Sequence, residues 1–207
     1  MAAPDFLVNT PTVDEKATLL LAHGAGAAMD SPFMNDISEL LSARGVRVLR
    51  FEFPYMVKRR ESGTKRPPDR MPVLQNSWRA AVKAAGDPAR LAIGGKSMGG
   101  RVASMLADEL AIRRLICLGY PFYAPGRVDK PRVEHLASLA TPALFCQGER
   151  DTMGNHDEVS SYALSSAIRV EWLADGDHSL KPRRKSGHTL EGNLSRAADL
   201  VSEFLCS

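Results

Sequence analysis

Cysteine is scarce in this chain. Its 207 residues hold three, Cys117, Cys146 and Cys206, an odd number with no metal-ligand spacing. That speaks against a disulfide framework and against a cysteine-built zinc site. Cys117 and Cys146 lie inside apolar runs and read as small buried hydrophobes. No run approaches the ~18 apolar residues that a membrane span needs. The opening Met1-Ala2-Ala3-Pro4-Asp5 lacks the charged start and apolar stretch of a signal peptide, so the expected location is cytoplasmic. An excess of one charge is missing too. Lys and Arg number 27 against 24 Asp and Glu, and a net +3 is too mild to argue for nucleic acid as a partner. No pair among the five histidines has the i, i+4 spacing of helical metal ligands, so no metal is expected.

Internal repeats and linkers are equally absent, and the expectation is one domain over residues 1–207. Strand-like apolar runs alternate with helical patterns. They are Thr18–Ala22, Val46–Phe51, Leu91–Ile93, Arg114–Leu118, Pro142–Gln147 and Arg169–Leu173. This alternation predicts an α/β fold, a doubly wound and mostly parallel sheet of about six strands flanked by helices. Helices are expected after Ser31-Pro32, over Val73–Ala85, Arg101–Ala111, Asn155–Leu164 and Asn193–Leu205. Little chain is left over, so a large lid is excluded. Only the connections at 56–72 and 120–138 remain to cover a site, with 180–192 also nearby. The basic clusters Lys58-Arg59-Arg60, Lys65-Arg66 and Lys181–Lys185 read as solvated loops, or as attractors of an anionic substrate.

What is present in full is a glycine-rich turn. Residues 94–100 read Gly-Gly-Lys-Ser-Met-Gly-Gly, straight after an apolar strand and before an amphipathic stretch. Gly95-Lys96-Ser97 also resembles the end of a phosphate-cradling loop, but that loop needs a glycine at position 90, where Arg90 stands. The remaining reading is Gly-x-Ser-x-Gly, the sharp strand-to-helix turn that holds a nucleophilic serine at a sheet edge. A serine hydroxyl needs a base, and the base needs an orienting acid. Two later loops at carboxyl ends of strands supply these types. Asp151 follows Ala143–Gln147 in Gly148-Glu149-Arg150-Asp151, and His178 follows Val170–Leu173 in Gly176-Asp177-His178-Ser179. Asp175 is a substitute acid, while Asp157 and Asp177 fit turn or helix-end roles. His23 is read as shaping a loop, His135 and His156 as solvated or capping, and His188 as a weak alternative base. Lys96 reads as an exposed turn residue or, less simply, a substrate contact.

With these motifs in place, the chain resembles the α/β-hydrolase family from Thr18 onward, in the order serine, acid, histidine. Its short length and Gly-Lys-Ser-Met-Gly-Gly-Arg elbow are similar to a compact branch with minimal or no cap, like dienelactone-hydrolase-like and testis-expressed-30-like proteins. Dienelactone hydrolases carry cysteine at the elbow where this chain has Ser97, so the resemblance implies no particular substrate. It does imply an oxyanion hole from the backbone N–H groups of Met98 and Ala25, with Gly26 as the near alternative. Tyr120 and Phe122 are candidates for lining an acyl pocket, or for packing beneath the loop at 120–138. The function expected is a serine hydrolase of a small ester or thioester, without cofactor, as monomer or homodimer. A catalytically silent binding or scaffold module is the alternative.

Overall fold

A computed structural model describes residues 4–207 of the chain. The expectation drawn from Met1, Ala2 and Ala3 lies outside the described residues. Seven strands form one sheet in the order β1-β3-β2-β4-β5-β6-β7. They are β1 (Leu7–Asn9), β2 (Ala17–Ala22), β3 (Val46–Phe51), β4 (Leu91–Lys96), β5 (Arg114–Leu118), β6 (Ala143–Gly148) and β7 (Ile168–Leu173). All neighbours run parallel except β1, which lies antiparallel to β3 with Val8 opposite Leu49. The doubly wound, mostly parallel α/β sheet is therefore present, with one strand beyond the six expected. That strand is β1, three residues long, with Leu7 and Val8 exposed, so it carries neither the length nor the alternation that marks a strand in sequence.

The strands alternate because both faces are covered. Leu19 and Leu21 of β2 pack on one side with Met34, Ile37 and Leu41 of α1 (Pro32–Ser42). Leu194, Ala197, Ala198 and Val201 of the closing helix join them there. Leu20 and Ala22 face the other side. There they meet Trp78, Ala81 and Val82 of α3 (Met71–Ala85), and Val102 and Ala103 of α4 (Met98–Ser104). The same division repeats in β5, where Leu115 and Cys117 face one core while Ile116 and Leu118 face the other.

Four helices differ from expectation, for local reasons. The basic stretch after β3 begins as helix α2 (Pro54–Ser62), because Pro54 sits in the first turn and buried Tyr55 and Met56 anchor it. The helix after Ser97 stops at Ser104, short of Ala111, and the chain continues in turns to a left-handed Ala111. A short α5 (His156–Ser160) carries the full capping box of Asn155 and Glu158. The closing α6 (Leu190–Cys206) starts earlier than expected, with Thr189 Oγ1 accepting the Gly192 N–H. No helix among the described residues is long and apolar enough to cross a membrane.

Chain order explains where a site can form. From β2 the chain moves outward to β3, then returns to the opposite side of β2 as β4, and from there proceeds to β7. The loops leaving β2 and β4 therefore diverge, and a crevice opens between them at the carboxyl ends of the strands.

Candidate active site

Ser97 follows β4 directly and holds φ 51° and ψ −118°, a conformation rare for any residue with a side chain. The glycines two positions to either side allow it. A Cβ on Gly95 would meet the Gly100 nitrogen at 2.6 Å and the Ala22 oxygen at 2.7 Å. One on Gly99 would meet the Ala22 and His23 oxygens at 2.6 Å each. Backbone thus presses on backbone around the serine, and the Ser97 hydroxyl is pushed outward at the edge of the crevice.

The structure brings the two later loops to it. His178 Nε2 lies 2.8 Å from Ser97 Oγ, and His178 Nδ1 lies 2.8 Å from Asp151 Oδ2. A carboxylate only accepts, so Nδ1 carries the ring proton and leaves the Nε2 lone pair facing the hydroxyl. Asp151 is completely buried and fully bonded. Its Oδ1 accepts the Met153 N–H at 2.8 Å, and its Oδ2 also accepts from Gln147 Nε2 at 2.8 Å. Gln147, which the sequence reading passed over, is itself fully buried at the end of β6. The Tyr120 N–H donates to its Oε1 at 2.7 Å, which fixes the amide with Nε2 towards Asp151. The signal available in sequence was a lone amide closing the apolar run Ala143–Cys146.

The substitute groups are engaged elsewhere. Asp175 is clamped by Arg183 and Arg150, which hold its carboxyl down at about 2. Asp177 accepts the N–H groups of Ser179 and Lys181 within its own turn. Asp157 is exposed beside His156, and His135 Nε2 bonds Ser104 Oγ at 2.9 Å.

His23 occupies the turn after β2. It accepts the Phe53 N–H at Nε2 and donates from Nδ1 to the Gly24 carbonyl at 2.7 Å, the pattern of a neutral ring. Burial holds its pKa below the ordinary value, which keeps that tautomer pair intact. The Tyr55 hydroxyl adds a bond to the Ala25 carbonyl at 2.9 Å. With the carbonyls of Gly24 and Ala25 held inward, the Ala25 and Met98 N–H groups carry no partner among the described residues. Further along the same loop, Arg50 donates to the Met29 carbonyl and to Asn35, while Arg60 pairs with Glu52 and Asp30.

Above Ser97 lies a cleft of about 480 Å³ with mostly apolar walls. Gly24, Ala25 and Gly26 form one side, Met98 and Met153 another, and Pro121 and Pro125 bring in part of the segment at 120–138. Nothing from 56–72 reaches it. Two readings left open by the sequence are decided here. Tyr120 and Phe122 are fully buried and pack beneath the site rather than on the cleft wall, Tyr120 stacked on Phe145 and Phe122 edge-on to Tyr120. Their large rings complete the core under β5 and β6, which outweighs any gain from exposure. Lys96 is not an exposed turn residue. It is 9% exposed, lies at the cleft, and donates from Nζ to the His178 carbonyl at 2.6 Å. Burial lowers its pKa to about 8.

Residues 15–206 match the family model described as alpha/beta hydrolase domain. The fold is shared with an alpha-beta serine hydrolase homologue from Coxiella burnetii, at TM-score 0.70 and 18% identity, covering 96% of this chain and 89% of that one. A dienelactone hydrolase from Anabaena variabilis aligns at TM-score 0.70 and 20% identity, over 98% and 97% of the two chains. A serine hydrolase without lid from Xanthomonas campestris aligns at TM-score 0.65 and 20% identity, over 95% and 88%. At these identities the likeness is one of fold.

Proposed function

The chain belongs to the alpha/beta hydrolase family, and from that premise we propose that it is a serine hydrolase of small carboxylic esters or thioesters. One observation carries the reading: Ser97, His178 and Asp151 form a continuous hydrogen-bonded chain that opens onto a cleft. In the first half-reaction His178 Nε2 takes the Ser97 proton as Oγ bonds to the substrate carbonyl carbon. The Ala25 and Met98 N–H groups, without other partners among the described residues, receive the carbonyl oxygen as it becomes negative. Loss of one such donor costs about 3 kcal/mol of transition-state stabilisation. Collapse of the tetrahedral species breaks the bond to the leaving oxygen or sulfur, which departs with the proton from His178. Water then enters, His178 takes its proton, and the acyl group leaves as a carboxylic acid while Ser97 regains its hydrogen. Asp151 accepts from the Nδ1–H throughout and steadies the imidazolium.

The test is a fluorophosphonate probe with mass-spectrometric location of the label. Labelling at Ser97 that disappears in folded Ser97→Ala and His178→Ala proteins is the expected result. A folded wild-type protein that takes no label, and turns over no p-nitrophenyl ester, would overturn the reading.

A further inference from the structure

Three cations share the cleft with Ser97, and no carboxylate does. Lys96, Arg101 and Arg132 lie on its wall, whereas Asp151 beneath and Asp177 beside it do not. Lys96 spends one of its three N–H bonds on the His178 carbonyl and has no ion-pair partner among the described residues. Arg101 follows Ser97 by one helical turn. Its Nε is buried without a hydrogen-bond partner among the described residues. Neither Arg101 nor Arg132 has a side-chain hydrogen-bond or ion-pair partner among the described residues; nine other arginines share that condition, but only these two line the cleft beside Ser97. The two also repel. Burial lowers the Arg101 pKa, and the Arg132 charge adds a smaller push in the same direction.

Such an arrangement is costly for the protein by itself. Like charges held close in a partly dehydrated site destabilise each other, and a buried guanidinium nitrogen without an acceptor forfeits a hydrogen bond. The segment that carries Arg132 is fixed, because its N–H donates to the Phe122 carbonyl and its own carbonyl accepts from the Tyr120 hydroxyl at 3.2 Å. Arg132 is thus held over the cleft and cannot drift out to solvent with its loop. A planar guanidinium pairs best with a group that offers two oxygens in one plane.

We infer that the substrate carries a second, anionic group, a carboxylate or phosphate set apart from the scissile carbonyl, and that Arg101 and Arg132 receive it with Lys96 adding its charge. The inference rests on the hydrolase reading of the same cleft and narrows it to acidic esters. The mostly apolar walls then accept the short chain between the two ends.

The experiment compares p-nitrophenyl hydrogen adipate with p-nitrophenyl hexanoate, which have acyl chains of equal length and differ in the terminal carboxylate. The charged ester is expected to be preferred by about tenfold or more in kcat/KM, mainly through KM. In Arg101→Gln, and separately in Arg132→Gln, the ratio of the two kcat/KM values is expected to fall by about tenfold. A purely structural role for either arginine would lower both esters and leave the ratio alone. Binding is measured independently by calorimetry on Ser97→Ala protein, with monomethyl adipate and hexyl phosphate as ligands. Binding of either that is lost on adding Arg101→Gln supports the inference, and the tighter ligand identifies the anion. Equal turnover of the two esters without binding of either ligand overturns it while leaving the hydrolase reading intact. Binding without turnover or probe labelling would overturn the hydrolase reading instead.

Discussion

Asp151 answers to two neighbours at once, since one of its oxygens holds both the His178 ring and the Gln147 amide. Replacing it by Asn reverses the preferred tautomer of His178, so kcat is expected to fall by about 10⁴ with the protein still folded. Gln147→Leu keeps the volume but removes a donor to the carboxylate. A hydrogen bond to a charged group is worth about 1.5–3 kcal/mol, so kcat should drop roughly tenfold to a hundredfold with KM little changed. Steady-state kinetics on a p-nitrophenyl ester would separate these two outcomes. The serine, acid and histidine were legible as residue types at strand ends, but the burial of Lys96 was not. Its partner, the His178 carbonyl, comes 82 positions later in the chain. A lysine beside a glycine-rich turn carries no local sign that a distant loop will cover it.

Among the elements, the elbow between β4 and α4 tolerates little change. Gly99→Ala would drive a methyl group against two backbone oxygens, neither of which has a flexible side chain to withdraw. Overpacking of this kind costs about 1–3 kcal/mol, so the urea midpoint should fall and Ser97 labelling should slow with it. Gly26→Ala, whose added carbon would meet nothing within 4 Å, provides a control that leaves the urea midpoint unchanged. The parallel strands were readable because burial on both faces writes them as continuous apolar runs. The edge strand β1 and the helix α2 escaped notice for the opposite reason. β1 is short and exposed, and α2 carries the basic run Lys58-Arg59-Arg60, with only Tyr55 and Met56 buried. Tyr120 and Phe122 show the same limit. Sequence placed them at a strand end, but whether they face cleft or core depends on how the segment at 120–138 folds back.

For the molecule as a whole, acid should weaken the fold before it dissolves any salt bridge. The folded state holds His23 below its ordinary pKa of 6.5, whereas the unfolded chain does not. Below about pH 6.5 the unfolded state therefore binds a proton that the native state refuses, and stability falls as pH falls. The slope approaches about 1.4 kcal/mol per pH unit for that single proton, until the native ring itself takes one up. Urea midpoints between pH 7.5 and 5 would show the decline, and a flat profile would contradict the role given to His23. The same residue ties this stability to the site, because protonation breaks the bond from the Phe53 N–H that keeps the turn after β2 in shape. The order in which the parts of the site occur along the chain has a separate consequence. The turn after β2 and Ser97 are translated early, whereas Asp151 and His178 follow β6 and β7. During synthesis Ser97 therefore waits without Asp151 and His178, and on the proposed mechanism a nascent chain released before residue 178 has no means to attack an ester.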